Sequence, residues 1–152
     1  MRSMWAAAAI VVMNAALSTG AIAADKGTKE EATALSKKAI AFYKANGKDK
    51  AYAEINNKSG QFVDRDLYVY VVDTSGHVRA HGTNPKLIDK DLMQLKDADG
   101  KAFVAEVVEL VKANKTGWVD YKWTNPVSKQ IESKTTYVEP MGDLGFAVGV
   151  YK

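Results

Sequence analysis

The chain has 152 residues, with 21 Lys and Arg against 18 Asp and Glu, two histidines and no cysteine. Its charges are interspersed and nearly balanced, which gives no basic patch for nucleic acid or an anionic membrane. The absence of cysteine removes disulfides, thiolate metal ligands and cysteine nucleophiles together.

In chain order, residues 1–24 read as a secretory signal peptide. Arg2 is a short positive start, residues 4–17 form an apolar run broken only by Asn14, and Ala21-Ile22-Ala23 supplies an A-x-A cleavage site. The run is shorter than the ~20 residues of a membrane helix, which favours a leader cut after Ala23 or Ala24 over an uncleaved anchor. Residues 25–152 then form one domain with a single core, exported to the periplasm and soluble after cleavage.

Thr28 is the predicted N-cap of a first helix, with Glu30 and Glu31 where the helix dipole favours anions. Ala32, Leu35, Ala39 and Phe42 recur at helical spacing, and Gly47 is the stop. A shorter helix follows over residues 49–56. The period then changes to that of strands, over 66–73 ("DLYVYVVD") and 77–81, joined by the turn letters "DTSG". Residues 82–100 read as a long irregular crossing with a turn of helix. Residues 101–114 form an amphipathic helix with Phe103, Val107, Leu110 and Val111 on one face. Three strands close the chain, over 117–123, 131–140 and 144–152, joined by hairpin turns. The fold class is α+β, an antiparallel sheet of about five strands with helices against it.

The two histidines, His77 and His81, have the H-x-x-x-H spacing of a helical zinc site, yet they sit in a strand pattern. Four residues of strand span about 13 Å, whereas two ligands on one zinc must bring their nitrogens within about 4 Å. No metal site is predicted. The sequence also carries no nucleophile elbow, Walker loop or dinucleotide fingerprint, and no enzyme activity or cofactor is expected.

On the 66–73 strand Tyr68, Tyr70 and Val72 share one face and Leu67, Val69 and Val71 the other. Both faces are apolar, which makes this an inner strand covered on both sides. Buried tyrosine hydroxyls need partners, and this is one way to place polar spots inside an apolar pocket. Arg79 and His81 share a face of the next strand and are candidate donors to a carboxylate. A loop of Thr74-Ser75 alone puts Arg79 opposite Tyr70 and brings this pair to the tyrosines; a bulge at Gly76 slips the register by one and turns it away. Both registers remain open. His77 belongs to the turn. Trp118, Tyr121 and Trp123 read as sheet core, with Trp118 on the face opposite the other two.

The combination of G-x-F-V-x-x-D-L-Y (residues 60–68), N-P-K-L-I (84–88), G-W-V-D-Y-x-W-x-N-P (117–126) and T-Y-V (136–138) resembles the single Cache domains of type 2, PAS-like extracytoplasmic sensor modules of bacterial chemoreceptors and histidine kinases. The similarity runs over about residues 28–152. It implies a long N-terminal helix on one face of the sheet and a small-molecule pocket on the other, roofed by residues 82–100. It implies small organic acids such as acetate, propionate or pyruvate as ligands, with Tyr68, Tyr70, His81, Tyr121, Trp123, Lys134 and Tyr137 as pocket candidates. Strand alternation does not let Lys134 and Tyr137 both point inward. The expected function is a periplasmic ligand-binding domain in chemotaxis or signal transduction, beside a separate membrane receptor or kinase, because sensor proteins of this kind continue into a transmembrane helix and this chain is expected to stop at Lys152. The alternative is an accessory protein that uses the fold as a scaffold. A homodimer through the N-terminal helix is a further expectation. The chain has His81-Gly82 where the family commonly has His-Pro. A protonated His81 beside a carboxylate predicts affinity that falls from pH 6 to 8.

Overall fold

The computed structural model describes residues 26–152; the predicted leader lies outside them. Helix α1 (Lys29–Asn46) begins on a capping box. The Glu31 N–H donates to Thr28 Oγ1 at 3.2 Å, and the Thr28 N–H donates to Glu31 Oε2 at 2.8 Å. Gly47, at φ +87°, donates its N–H to the Tyr43 carbonyl and turns the chain into α2 (Lys48–Asn56). An L-residue rarely adopts that φ, so glycine suits the corner.

Six strands follow: β1 (Val63–Asp64), β2 (Leu67–Asp73), β3 (Val78–His81), β4 (Gly117–Thr124), β5 (Ile131–Met141) and β6 (Leu144–Tyr151). The pairing order is β1-β2-β6-β5-β4, all antiparallel, with β3 beside β1 on the same edge of β2. β1 is too short to show a period in the sequence. Between β3 and helix α3 (Phe103–Lys112), the crossing makes a 3-10 turn at Pro85–Leu87 and folds back on β3. There the Asp89 N–H donates to the Val78 carbonyl at 2.7 Å, and the Val78 N–H donates to the Lys90 carbonyl at 3.1 Å.

Alternate residues of the inner strands build two cores. Leu67, Val69 and Val71 of β2 join Phe146, Val148 and Val150 of β6 under Ala32, Ala39 and Ile40 of α1. Tyr68, Tyr70 and Val72 join Val119 and Tyr121 of β4 under Phe103, Val104, Val107 and Val111 of α3. The two-sided reading of the β2 sequence matches this arrangement. Trp118 does not belong to either core. It is 37% exposed at the β4 edge, packed on Tyr137 and under the Lys29 ammonium, because its strand parity points it to the α1 side where no element covers the edge.

Candidate functional site

The pocket starts from a hairpin with two irregularities. Asp73 Oδ1 accepts from the Ser75 N–H, the Ser75 hydroxyl and the His77 N–H, which fixes the turn. Gly76 sits at φ +86°, with Met93 packed where a Cβ would project. This is the bulge at Gly76, and it slips the register to pair Val72 with Val78. A second slip follows at Arg79, after which Val71 pairs with Ala80 and Tyr70 with His81. Two single slips add to the strand period of two, so His81 returns to the tyrosine face.

Arg79 takes the bulge and leaves that face, a correction to the predicted Arg79 and His81 pair. Its guanidinium is held by Asp73 Oδ2, from Nη2 at 2.6 Å and Nε at 2.8 Å, and lies 3.5 Å from Asp89 on the α2 side. Bulges commonly re-aim a side chain in this way.

Tyr68, Tyr70 and His81 form one wall of a narrow cavity of about 20 Å³, room for a water-sized group. The His81 ring lies 4.9 Å from that of Tyr68 and 5.9 Å from that of Tyr70, nearly parallel to the latter. Opposite stand Tyr121 and Trp123 of β4, with Phe103 stacked on Tyr121 at 4.0 Å. Val72, Val78, Leu87, Leu92 and Val104 complete the apolar lining. The sequence reading missed this lining and Phe103, which gave a helix-core signal only.

His81 is held by its backbone as well as its ring. Its N–H donates to Asn56 Oδ1 at 2.9 Å, and the Gly82 N–H continues the ladder to the Val69 carbonyl at 3.0 Å. A proline after His81 has no N–H to give there, so glycine anchors the histidine by another means. His81 Nδ1 accepts from the N–H groups of Thr83, at 3.2 Å, and Asn84, at 2.9 Å. That assigns the ring proton to Nε2 and leaves the Nε2–H as its donor at the cavity wall. Burial, reinforced by the nearby Lys134 charge, lowers the His81 pKa to about 3. In the ligand-free protein His81 is therefore a neutral donor.

Lys134 is 1% exposed. Its stem lies across Gly149, where a Cβ would meet the Lys134 Cε at 2.1 Å. The ammonium donates to Tyr68 Oη at 2.8 Å and stands over the rings of Tyr68 (4.2 Å), Tyr151 (4.9 Å) and Tyr121 (5.8 Å). It sits behind the Tyr68 and Tyr121 wall rather than in the cavity lining. Burial lowers its pKa to about 7, against the opposing field of Asp66. Burial also raises the hydroxyls of Tyr68 and Tyr70 and pushes that of Tyr121 up to about 12, so all three are neutral donors at pH 7. The Tyr121 hydroxyl accepts from Thr136 Oγ1 at 2.9 Å. Tyr70 Oη is buried and makes no well-formed hydrogen bond among the described residues, its one polar neighbour in reach being the Tyr121 hydroxyl, which already accepts from Thr136.

Six of the seven predicted residues thus share one face of the sheet. Tyr137 does not. Between Lys134 and Tyr137 lie two residues of regular strand, so the β5 pleat turns Tyr137 to the α1 side, against Trp118 and bonded to Glu139. The arrangement offers neutral donors and one buried ammonium around an apolar space, a set suited to holding a small anion by polar contacts.

The chain is similar to sensor domains. The chain is 34% identical over 86 residues to the methyl-accepting chemotaxis protein McpP of Pseudomonas putida, an alignment covering 57% of this chain and 16% of that receptor. A periplasmic sensor domain of a chemotaxis protein superposes with a TM-score of 0.62 at 28% identity, over 80% of this chain and 88% of that one. A Cache chemosensory domain described for carboxylic acid recognition gives the same score and identity, over 80% and 86%. A methyl-accepting chemotaxis protein of Vibrio parahaemolyticus RIMD 2210633 shares the fold, with a TM-score of 0.70 at 23% identity over 81% and 87% of the two chains. Residues 4–151 match the profile of single Cache domain 2, and with the sheet and its two-sided covering as described, the chain belongs to that family.

Proposed function

We propose that this domain is a periplasmic sensor of a small monocarboxylic acid, of the acetate, propionate and pyruvate class, acting in chemotaxis or signal transduction alongside a membrane receptor. The observation that carries the reading is that Tyr70, whose buried hydroxyl makes no well-formed hydrogen bond, and His81, whose Nδ1 is taken by two backbone N–H groups, line the same largely apolar cavity. A carboxylate satisfies both donors through charge-assisted bonds. Its short tail then meets Val72, Leu92, Phe103 and Val104. The Lys134 ammonium acts on the acid through Tyr68, whose hydroxyl it holds. Likeness to a domain that recognises carboxylic acids, at 28% identity, supports the same class. Export follows from the leader read over residues 1–24, and the mature protein is expected to begin at Ala24 or Asp25 on N-terminal sequencing.

Thermal-shift titration of the mature protein with C2 to C4 carboxylates tests the reading. A ligand at 100 times its dissociation constant adds about 2.7 kcal/mol of stability. A midpoint that no acid of this class moves sinks the proposal and leaves the fold as a scaffold for protein contacts.

A further inference from the structure

The crossing between β3 and α3 is held to its two neighbours in different ways. Toward β3 it is zipped by backbone. The Asp89 N–H donates to the Val78 carbonyl at 2.7 Å, the Val78 N–H to the Lys90 carbonyl at 3.1 Å, and the Leu92 N–H to the Gly76 carbonyl at 2.9 Å. Toward β4 no backbone pair joins the crossing to the strand among the described residues. The link there is the side chain of Asp97. Its Oδ2 accepts from the Lys122 N–H at 2.9 Å, and its Oδ1 from the N–H groups of Asp99 and Lys101, each at 2.9 Å. The turn around Asp97 closes on itself, with the Asp97 N–H on the Lys101 carbonyl at 2.9 Å and the Gly100 N–H on the Asp97 carbonyl at 3.0 Å. Gly100 supplies the left-handed corner at φ +83° and stands in open space.

This seam runs along the edge of the pocket. Lys122 lies between Tyr121 and Trp123, both of which line the cavity. Its N–H faces the open edge of the sheet, because β4 pairs with β5 alone. Two weaker contacts flank it: Lys101 Nζ donates to the Asp120 carbonyl, and Lys122 Nζ lies 3.1 Å from Asp99 in an exposed ion pair. Outside the seam a surface cleft reaches in to Tyr121 and Lys134, so Tyr121 borders both the cleft and the cavity. The cavity holds a water-sized group, less than a carboxylate and its tail need, so one wall must move to admit an acid. The walls from β2, β4 and α3 are packed core, and the crossing up to Leu92 is zipped to β3. Residues 94–101, held to β4 chiefly by one carboxylate, form the side that opens at least cost.

We propose that Asp97 is a positioning residue for the pocket: its carboxylate latches residues 94–101 onto the Lys122 N–H, and release of this latch opens the way by which the acid reaches Tyr121 and the cavity. The entry role rests on the carboxylate reading, while the latch stands without it. The N–H groups of Lys122 and Lys101 hold the Asp97 carboxyl below the usual carboxylate range, so it is an ionised acceptor at pH 7. Asparagine has the same shape, and its carbonyl oxygen can still serve Asp99 and Lys101. Its amide NH2 then meets the Lys122 N–H donor to donor, which breaks the latch alone. The latch is lost equally in the free and the loaded protein. Entry and exit therefore quicken by the same factor, and the dissociation constant, their ratio, stays put.

The experiment is stopped-flow fluorescence of the mature protein with propionate, read through Trp123 in the cavity lining, with wild type compared to Asp97→Asn. Association and dissociation rates should each rise by about tenfold in D97N, with the dissociation constant unchanged. Unchanged rates, or a weakened dissociation constant with unchanged association, overturn the entry role. Amide hydrogen exchange of ligand-free protein tests the latch separately. By strand parity the Trp118 N–H faces the same open edge as that of Lys122. In the wild type the Lys122 amide should be protected about tenfold or more beyond that of Trp118. In D97N the two should exchange alike, while Val148 of the inner strand β6 stays protected. Equal exchange of Lys122 and Trp118 in the wild type overturns the latch whether or not any acid binds and whether or not D97N folds. Absence of propionate, acetate and pyruvate binding in the wild type removes the carboxylate reading and the entry role with it, and the exchange arm still decides the latch.

Discussion

The two faces of the sheet use the same strands for opposite purposes. On the α1 face, β2 and β6 present Leu67, Val69, Val71, Phe146, Val148 and Val150, and the buried polar side chain that α1 brings, Ser36, gives its hydroxyl to the Phe146 carbonyl at 2.9 Å. On the α3 face the intervening residues present four tyrosines, a histidine, a threonine and a lysine, all of them buried. The first face is dry and its polar group satisfied, so it contributes stability by burial and close packing. The second keeps a hydroxyl with no well-formed hydrogen bond and a desolvated ammonium, both of which cost stability in the free protein. One pleat, read at odd and even positions, separates the scaffold from the site.

The largest test of this contrast is Phe146→Ala, which should cost about 3–5 kcal/mol by urea denaturation and show the same loss at every pH from 6 to 9. A small loss would mean the α1 face is not the main source of stability. Lys134→Met is expected to behave differently. The Lys134 pKa is lowered on folding, by burial, from the ordinary lysine value of 10.5 to about 7. Between these values the unfolded chain binds more protons, so wild-type stability relative to K134M should rise with pH from 7 to 10, by at most about 1.4 kcal/mol per unit. A difference independent of pH would place the ammonium in water rather than behind Tyr68.

Smaller again is His81→Leu. It strands the Thr83 and Asn84 amides and should cost about 1–3 kcal/mol. In the wild type the His81 ring should stay neutral, with its proton on Nε2, from pH 8 down to about 4 by NMR, since its pKa falls on folding to about 3. The same shift makes acidification from pH 6.5 toward 3 destabilising, because the unfolded histidine takes up the proton first. A ring that titrates near 6.5 would restore the charged histidine. The smallest effect is expected for Tyr70→Phe, with stability unchanged or raised by about 1 kcal/mol, because the lost hydroxyl made no well-formed hydrogen bond. Its acid affinity should nonetheless fall about tenfold, whereas Tyr121→Phe, which breaks the bond to Thr136, should lose about 1 kcal/mol of stability.

Much of the fold could be read along the chain because local chemistry decided it. Thr28 and Glu31 cap α1, Gly47 ends it, and the alternation of Leu67 to Val72 already implied a strand covered on both sides. The site was less legible. Tyr137 looked equivalent to Lys134 until the β5 pleat sent it to the other face, and Arg79 looked equivalent to His81 until the bulge removed it. Asp66 gave no signal at all, being one acid among 18 Asp and Glu until the fold buried it against the Gly27 N–H.

The sequence by itself determined the order of elements, the family pattern and the residue types available to the pocket, since periodicity, caps and turn residues act over a few neighbouring positions. Only the tertiary structure decided which of them meet. Two register slips in one short hairpin set the face on which His81 lies, and burial set the charges of His81 and Lys134. Register and desolvation are properties of strands brought together from distant parts of the chain, and no local stretch carries them.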